Sequence, residues 1–244
     1  MPWRWIPPIT APGATQMAID RWMLDQLAAG GEPCLRLYRW SAPTLSLGRH
    51  QQRLEPHWPA LVEQGRLALV RRPSGGRAVL HAGELTYALA CRPASPHRQR
   101  AYRACCQWLL EAFAQLGQPL QWGGGGAGAR GGRFAEAQGR SSCFATATGA
   151  DLMHADGAKR IGSAQLWRGE LLLQHGSLLL DPPAELWRAV FGTAPPAVAP
   201  LPLGGEALEA LLRRSAETAL CGAGLESRPL LPEEWRQIEA LEPL

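Results

Sequence analysis

One lysine stands among the 244 residues, Lys159, while the other 24 basic side chains are arginines. Arginine keeps its proton and offers a flat fork, whereas lysine is a compact point charge whose pKa moves on burial. A bias toward arginine codons accounts for the arginines but leaves the survival of Lys159 unexplained. Upstream, Cys143-Phe144 follows a polar, glycine-rich stretch, so this thiol is expected to be more accessible than a core cysteine. A reactive cysteine needs a depressed pKa, and Lys159 is the nearest credible source of positive charge. The alternative for Cys143 is an idle thiol. A second stretch runs Arg71-Arg72-Pro73-Ser74-Gly75-Gly76-Arg77-Ala78-Val79-Leu80-His81. Its glycines allow a turn or a close ligand approach, and successive N–H groups there can cradle an anion beside the arginines. An ordinary strand–turn–strand with a solvated arginine pair is the competing reading. His81 falls at a strand end and His175 inside a buried strand; the usual fate of such an imidazole is to donate to a backbone carbonyl. Three scattered candidate ligands support no metal site.

These residues need elements to hold them. Helical patterns cover 15–29, 98–116, 185–191, 206–220 and 232–241, with a short helix at 59–64. Strand patterns cover Cys34–Trp40, 43–49, Leu67–Arg71, Arg77–Leu80 and Glu84–Ala90. Lys159–Trp167, a turn at Arg168-Gly169-Glu170, and Leu171–Leu180 read as a hairpin whose second arm is apolar almost throughout and buried on both faces. The glycine run 123–132 reads as a surface loop; its G-x-G-x-x-G spacing at Gly126, Gly128 and Gly131 follows no strand and opens no helix, so it carries no dinucleotide site. Clustered strands with interspersed and terminal helices predict an α+β (mixed α/β) fold around a central mixed sheet flanked by helices. One domain is expected over 1–244, with a core over 15–192, a proline-rich linker at 194–205 and terminal helices over 206–244.

Composition narrows the function classes. With 46% hydrophobic and 19% charged residues the chain reads as globular. A formal charge of +4 is mild and favours acidic protein partners over nucleic acid or membrane. No apolar run reaches the ~20 residues of a membrane span, and none near Met1 suggests a signal peptide. The six cysteines include no C-x-x-C pair, so free thiols and a cytoplasmic setting are expected.

Taken together, Arg71–His81 with Gly83–Tyr87, Cys143-Phe144-Ala145, Lys159–Gln165 and Gln174–Ser177 resemble the lipoate–protein ligase and octanoyltransferase family, as do Gln16–Asp20 and Ser46–Gln51. The resemblance covers roughly 15–182 in order. It implies a fold like the catalytic core of biotin protein ligases and class II tRNA synthetases, and transfer of an octanoyl or lipoyl group to a lysine. Arg77 in place of a third glycine, the Cys143-Phe144 pair, and the lack of room for a second full domain after Pro182 are similar to the cysteine-dependent octanoyltransferases. Their reaction implies an octanoyl acyl carrier protein as donor, no required cofactor, and a lipoyl domain of a 2-oxo acid dehydrogenase or a glycine-cleavage H protein as acceptor. Cys143 and Lys159 would be catalytic. Arg71, Ser74, Gly75, Gly76, Arg77, Ala78, His81, Gly162, Ser163, Ala164, His175 and Gly176 would bind substrate, with the Gly75-Gly76 turn and the apolar strand around His175 lining an acyl tunnel. Departures from the family pattern are Ser142 before the cysteine, Thr146-Ala147 after Ala145, and Ala82 after His81. An ATP- and Mg-dependent ligase, or a non-catalytic carrier-binding relative, are the alternatives.

Overall fold

The computed structural model describes residues 2–123, 142–145, 149, 151–222 and 224–241. Gly126, Gly128 and Gly131 of the glycine run, together with Thr146 and Ala147, lie outside the described residues. In chain order the strands are β1 (Trp3–Ala11), β2 (Cys34–Trp40), β3 (Thr44–Leu47), β4 (Ala68–Arg71), β5 (Val79–His81), β6 (Glu84–Cys91), β7 (Gln121–Trp122), β8 (Leu152–Met153), β9 (Lys159–Arg168), β10 (Leu171–Leu179) and β11 (Leu225–Ser227). The helices are α1 (Gly13–Ala28), α2 (Trp58–Glu63), α3 (Arg98–Gln115), α4 (Ala184–Phe191), α5 (Gly205–Ala219) and α6 (Pro232–Glu239).

Eight strands form one mixed sheet in the order β11-β1-β2-β6-β10-β9-β8-β7, and β4-β3-β5 form a small second sheet. The mixed α/β expectation holds, with parallel pairs at β11–β1–β2 and antiparallel pairs onward. Sequence pattern alone misses β1, because Pro7 and Pro8 interrupt it. The pairing with β2 skips between Ile6 and Ile9, so both prolines fall where the ladder is already broken. Among the described residues no helix is long and apolar enough to cross a membrane.

Two cores follow from the two faces of the large sheet. α3 and α5 cover one face, where Leu35, Leu37, Leu85, Tyr87 and Leu178 meet Trp108, Phe113 and Leu212. The stripe on α3 that produces this burial is Ala101, Cys105, Cys106, Trp108, Leu109, Ala112 and Phe113, apolar at helical spacing. Each large side chain so buried contributes about 1.5–3 kcal/mol, which outweighs the weak helix propensity of its aromatics. α1 and α6 cover the opposite face, and Arg36, Tyr38, Thr86, Ala88, His175 and Ser177 share that side by alternation and register. The small sheet packs over its far end, with Leu45, Leu80, Phe144 and Trp187 in a third core. Strand β10 is buried at every position, yet its middle is not apolar: Gln174 faces the α3 side, and His175 and Ser177 face the small sheet. The gap between the two sheets is therefore where the polar residues collect.

Candidate active site

Between the sheets runs a narrow slot of about 490 Å³ including its open mouth, of which only about 80 Å³ is wide enough for the centre of a water molecule. Its floor is Gly162–Ala164 of β9, His175–Ser177 of β10, Thr86 of β6, and Tyr38 and Trp40 of β2. Ser46, Val79 and His81 of the small sheet, Met17 of α1, Arg72, Gly75, Gly76 and Cys143 close the other side. From β9 to β2 is three strand spacings, about 14 Å, so the slot crosses the strands. Its cross-section suits a chain one methylene wide.

Cys143 opens a single 3-10 turn, Cys143–Ala145. Its N–H donates to the Ala78 carbonyl at 2.9 Å, which ties the turn to the residue before β5. Lys159 begins β9 and is buried. Its Nζ donates to the Cys143 carbonyl at 2.8 Å, lies 3.7 Å from Cys143 Sγ, and pairs with Asp151 Oδ1 at 2.9 Å. The Phe144 ring sits 5.1 Å from the same ammonium. Lys159 Nζ is thus held between a carboxylate and a carbonyl, with the Cys143 thiol beside it. Gly162 makes room for it: a Cβ there would come within 3.0 Å of Lys159 Cε.

The glycine turn is pinned by Arg72, not Arg71. Arg72 is buried and donates to the carbonyls of Ser46, Gly75 and Arg77 at 2.8, 2.8 and 2.7 Å. Burial pushes its guanidinium down to about 10, and the negative charge of a Cys143 thiolate opposes that fall. Arg72 and Cys143 both line the slot. Arg71 instead donates to the carbonyls of Gly48, Arg49 and Gln51 and does not line the slot. Gly76 has φ +98°, and a Cβ there would meet Arg72 at 2.9 Å; both exclude other residues. Arg77 is exposed beside the turn.

Both histidines depart from the expected carbonyl bond. His175 Nδ1 faces Asp20 Oδ2 at 2.8 Å, and its Nε2 meets Ser74 Oγ at 2.5 Å. Burial would raise the Asp20 carboxyl, but Arg36, 2.5 Å away, and His175 together hold it below the ordinary aspartate value. With Asp20 ionised, a neutral His175 donates from Nδ1 and accepts the Ser74 hydroxyl at Nε2. His81 repeats the pattern, with Nδ1 3.0 Å from Glu84 Oε1 and Nε2 2.8 Å from Ser46 Oγ. Burial lowers its pKa against the pull of Glu84, and Trp40 stacks on it at 3.9 Å. Glu84 also accepts Thr86 Oγ1 at 2.6 Å and the Ser177 hydroxyl. These polar groups are already bonded to one another, and the surface left facing the slot is mainly apolar. Ser74 lies behind His175 rather than on the slot, and the Ser163 side chain points to Tyr87 OH, 2.8 Å away on the α3 face. Arg72, Asp20, Ser46 and Glu84 fall within the stretches that carry the resemblance but are not picked out as site residues, and Asp151 and Trp40 lie outside those stretches. For Ser46, Trp40 and Glu84 the local signal is alternation, which names a face but not what packs on it.

Residues 12–198 match the lipoyl protein ligase A/B catalytic domain. The chain belongs to that family. Octanoyltransferase LipM of Moorella thermoacetica is 38% identical over 184 residues, 73% of this chain and 65% of that protein. LipM of Geobacillus kaustophilus is 36% identical over 199 residues, 78% and 69% of the two chains. The chain thus spans a little under two thirds of the length of the Moorella relative. Among solved structures, protein Ta0514 of T. acidophilum with bound lipoic acid superposes at a TM-score of 0.77 and 19% identity, over 98% of this chain and 94% of that one. That likeness establishes the fold of a lipoyl ligase A/B catalytic domain. Within it, Cys143, the Gly75-Gly76 turn and Gly162–Ala164 converge on one slot, with Lys159 Nζ beside the cysteine, although more than eighty residues separate the turn from Gly162.

Proposed function

We propose that this catalytic domain moves an octanoyl or lipoyl group from an acyl carrier protein thioester, through a Cys143 acyl-enzyme, to a lysine of a lipoyl domain or glycine-cleavage H protein. The observation that carries this reading is the Cys143 thiol beside Lys159 Nζ, 3.7 Å away, on a small, mainly apolar slot. The relatives named octanoyltransferase support it. Cys143 thiolate adds to the donor carbonyl while Lys159 holds the oxyanion. The carbon–sulfur bond to the carrier then breaks, and the carrier thiolate takes up the proton that Cys143 lost. This exchange of one thioester for another needs no ATP. In the second half the acceptor amine adds to the same carbonyl, the bond to Cys143 Sγ breaks, and the amine proton passes to the cysteine. Asp151, 2.9 Å from Lys159 Nζ, positions that side chain beside the reacting carbonyl. Each methylene in the slot contributes ~0.8 kcal/mol, and walls that are mainly apolar, with their polar groups already paired, suit an apolar tail. Buried free thiols at Cys34, Cys91, Cys105, Cys106 and Cys221 support action in the cytoplasm.

Incubation with octanoyl carrier protein and no ATP is expected to add one octanoyl mass, mapped to Cys143 by peptide mass spectrometry. No adduct, together with ATP-dependent transfer of free lipoate to a lipoyl domain, would replace this reading with the ligase one.

A further inference from the structure

A second cavity abuts the reactive pair. Ser142, Phe144 and Lys159 line it, and its outer walls are Asp156–Ala158 in the turn between β8 and β9 and Thr193–Ala197 after α4. Cys143 lines the slot and not this cleft; Lys159 lines the cleft and not the slot. The two spaces thus meet across the Cys143–Lys159 contact. They differ in width: water-sized centres have about 500 Å³ in the cleft against about 80 Å³ in the slot. A slot filled lengthwise by an acyl chain leaves no path for the group that carries the acyl sulfur. That group must approach the carbonyl from another side, and the cleft provides one.

We propose that this cleft receives the pantetheine-type arm of the thioester donor, a neutral chain of amides and methylenes. The proposal rests on the acyl-enzyme reading above. Among the described lining residues the charged groups are Asp156 and Lys159, and Lys159 is paired with Asp151. A triphosphate would find no arginine among the described lining residues. An uncharged arm suits it better. Pro195 and Pro196 in this wall carry no N–H, so they bring no backbone donor that an uncharged arm would have to satisfy. Ala158, Ala194, Ala197 and Gly157 keep the walls low, and Trp187 and Phe144 give the methylenes an apolar side. The arm's sulfur would then lie beside Phe144 and Lys159 as its bond to the acyl carbon breaks, and the freed thiol would leave by the same route before the acceptor lysine enters.

The test compares two donors on the whole chain, S-octanoyl pantetheine and S-octanoyl 2-mercaptoethanol, which shares the thioester but lacks the arm. Acylation of Cys143 is followed by intact mass. Ala197→Trp, at an exposed position, and Ala158→Trp each fill the cleft from a different wall. The ratio of the rates with and without the arm is expected to fall about tenfold or more in both variants. Iodoacetamide alkylation of Cys143 and the melting temperature report whether the site and fold persist, and the exposed Ala197 position guards against a misfolded Ala158 variant. An unchanged ratio in Ala197→Trp, or slowing of the pantetheine donor by ATP with Mg²⁺, would overturn the assignment. Acylation by the armless donor with an unchanged ratio removes only the cleft. No acylation by either donor in the unsubstituted chain removes the acyl-enzyme and the cleft together.

Discussion

At the scale of single residues, Lys159 combines two properties that arginine cannot reproduce together: a point charge, and a head small enough to fit between Asp151 Oδ1 and the Cys143 carbonyl. Lys159→Arg keeps the charge but brings a planar fork into a space where Gly162 already yields room to the lysine Cε. Acyl transfer to an acceptor lysine is expected to fall at least about a hundredfold, with the loss in kcat rather than in carrier affinity, as steady-state kinetics would report. Full activity would remove Lys159 from the chemistry. Arg72 makes a complementary point. Its three carbonyl bonds fix the turn from inside, whereas Arg71, one residue earlier, points the other way because strand β4 alternates. The pair is identical in type and opposite in role.

At the scale of elements, the end of the slot away from Cys143 is decided by β2 and β5. Trp40 donates Nε1 to Thr86 Oγ1 at 2.9 Å and stacks on His81. On its far side lies another cavity of about 380 Å³, which shares Trp40 and His81 with the slot. Trp40→Ala would join the two spaces. Competition between eight- and twelve-carbon thioesters, read by the mass of the acyl-enzyme, is expected to shift toward the longer chain by about tenfold, on the order of two methylenes' burial. An unchanged ratio would mean that the stop lies elsewhere. The same packing of small sheet on large sheet explains the two Ser–His–carboxylate relays. Each histidine lies between sheets, where an unpaired imidazole nitrogen would be costly, and each is satisfied on both sides.

The whole molecule carries this buried polar layer at a cost that depends on pH. His81 has a folded pKa below its unfolded value because burial disfavours the imidazolium. Folding therefore excludes a proton that the unfolded chain takes up, so its contribution to stability is complete above the unfolded value of about 6.5 and declines as pH falls below it. Asp20, held low by Arg36 and His175, adds a second loss as pH falls through the ordinary aspartate range of about 3.9. Chemical denaturation from pH 7.5 to 5 is expected to show falling stability, with a smaller slope in His81→Gln. An identical slope in that variant would show that His81 does not carry the effect.

The amino-acid sequence alone determined the elements that rest on periodicity or punctuation: α3 from its apolar stripe, the β9–β10 hairpin from its Arg168-Gly169-Glu170 turn, and the glycine turn after Arg72. It also singled out Cys143 and Lys159, because a lone lysine and a loop-borne thiol are visible without any coordinates. Tertiary structure decided the rest. Strand β1 exists because β2 and β11 supply partners on both sides of its interrupted ladder. Asp151 pairs with Lys159 only because β8 and β9 lie side by side. The slot's lining arises where strands distant in sequence bring alternate residues to one face. Local pattern records which way a side chain points, and only packing records what it meets.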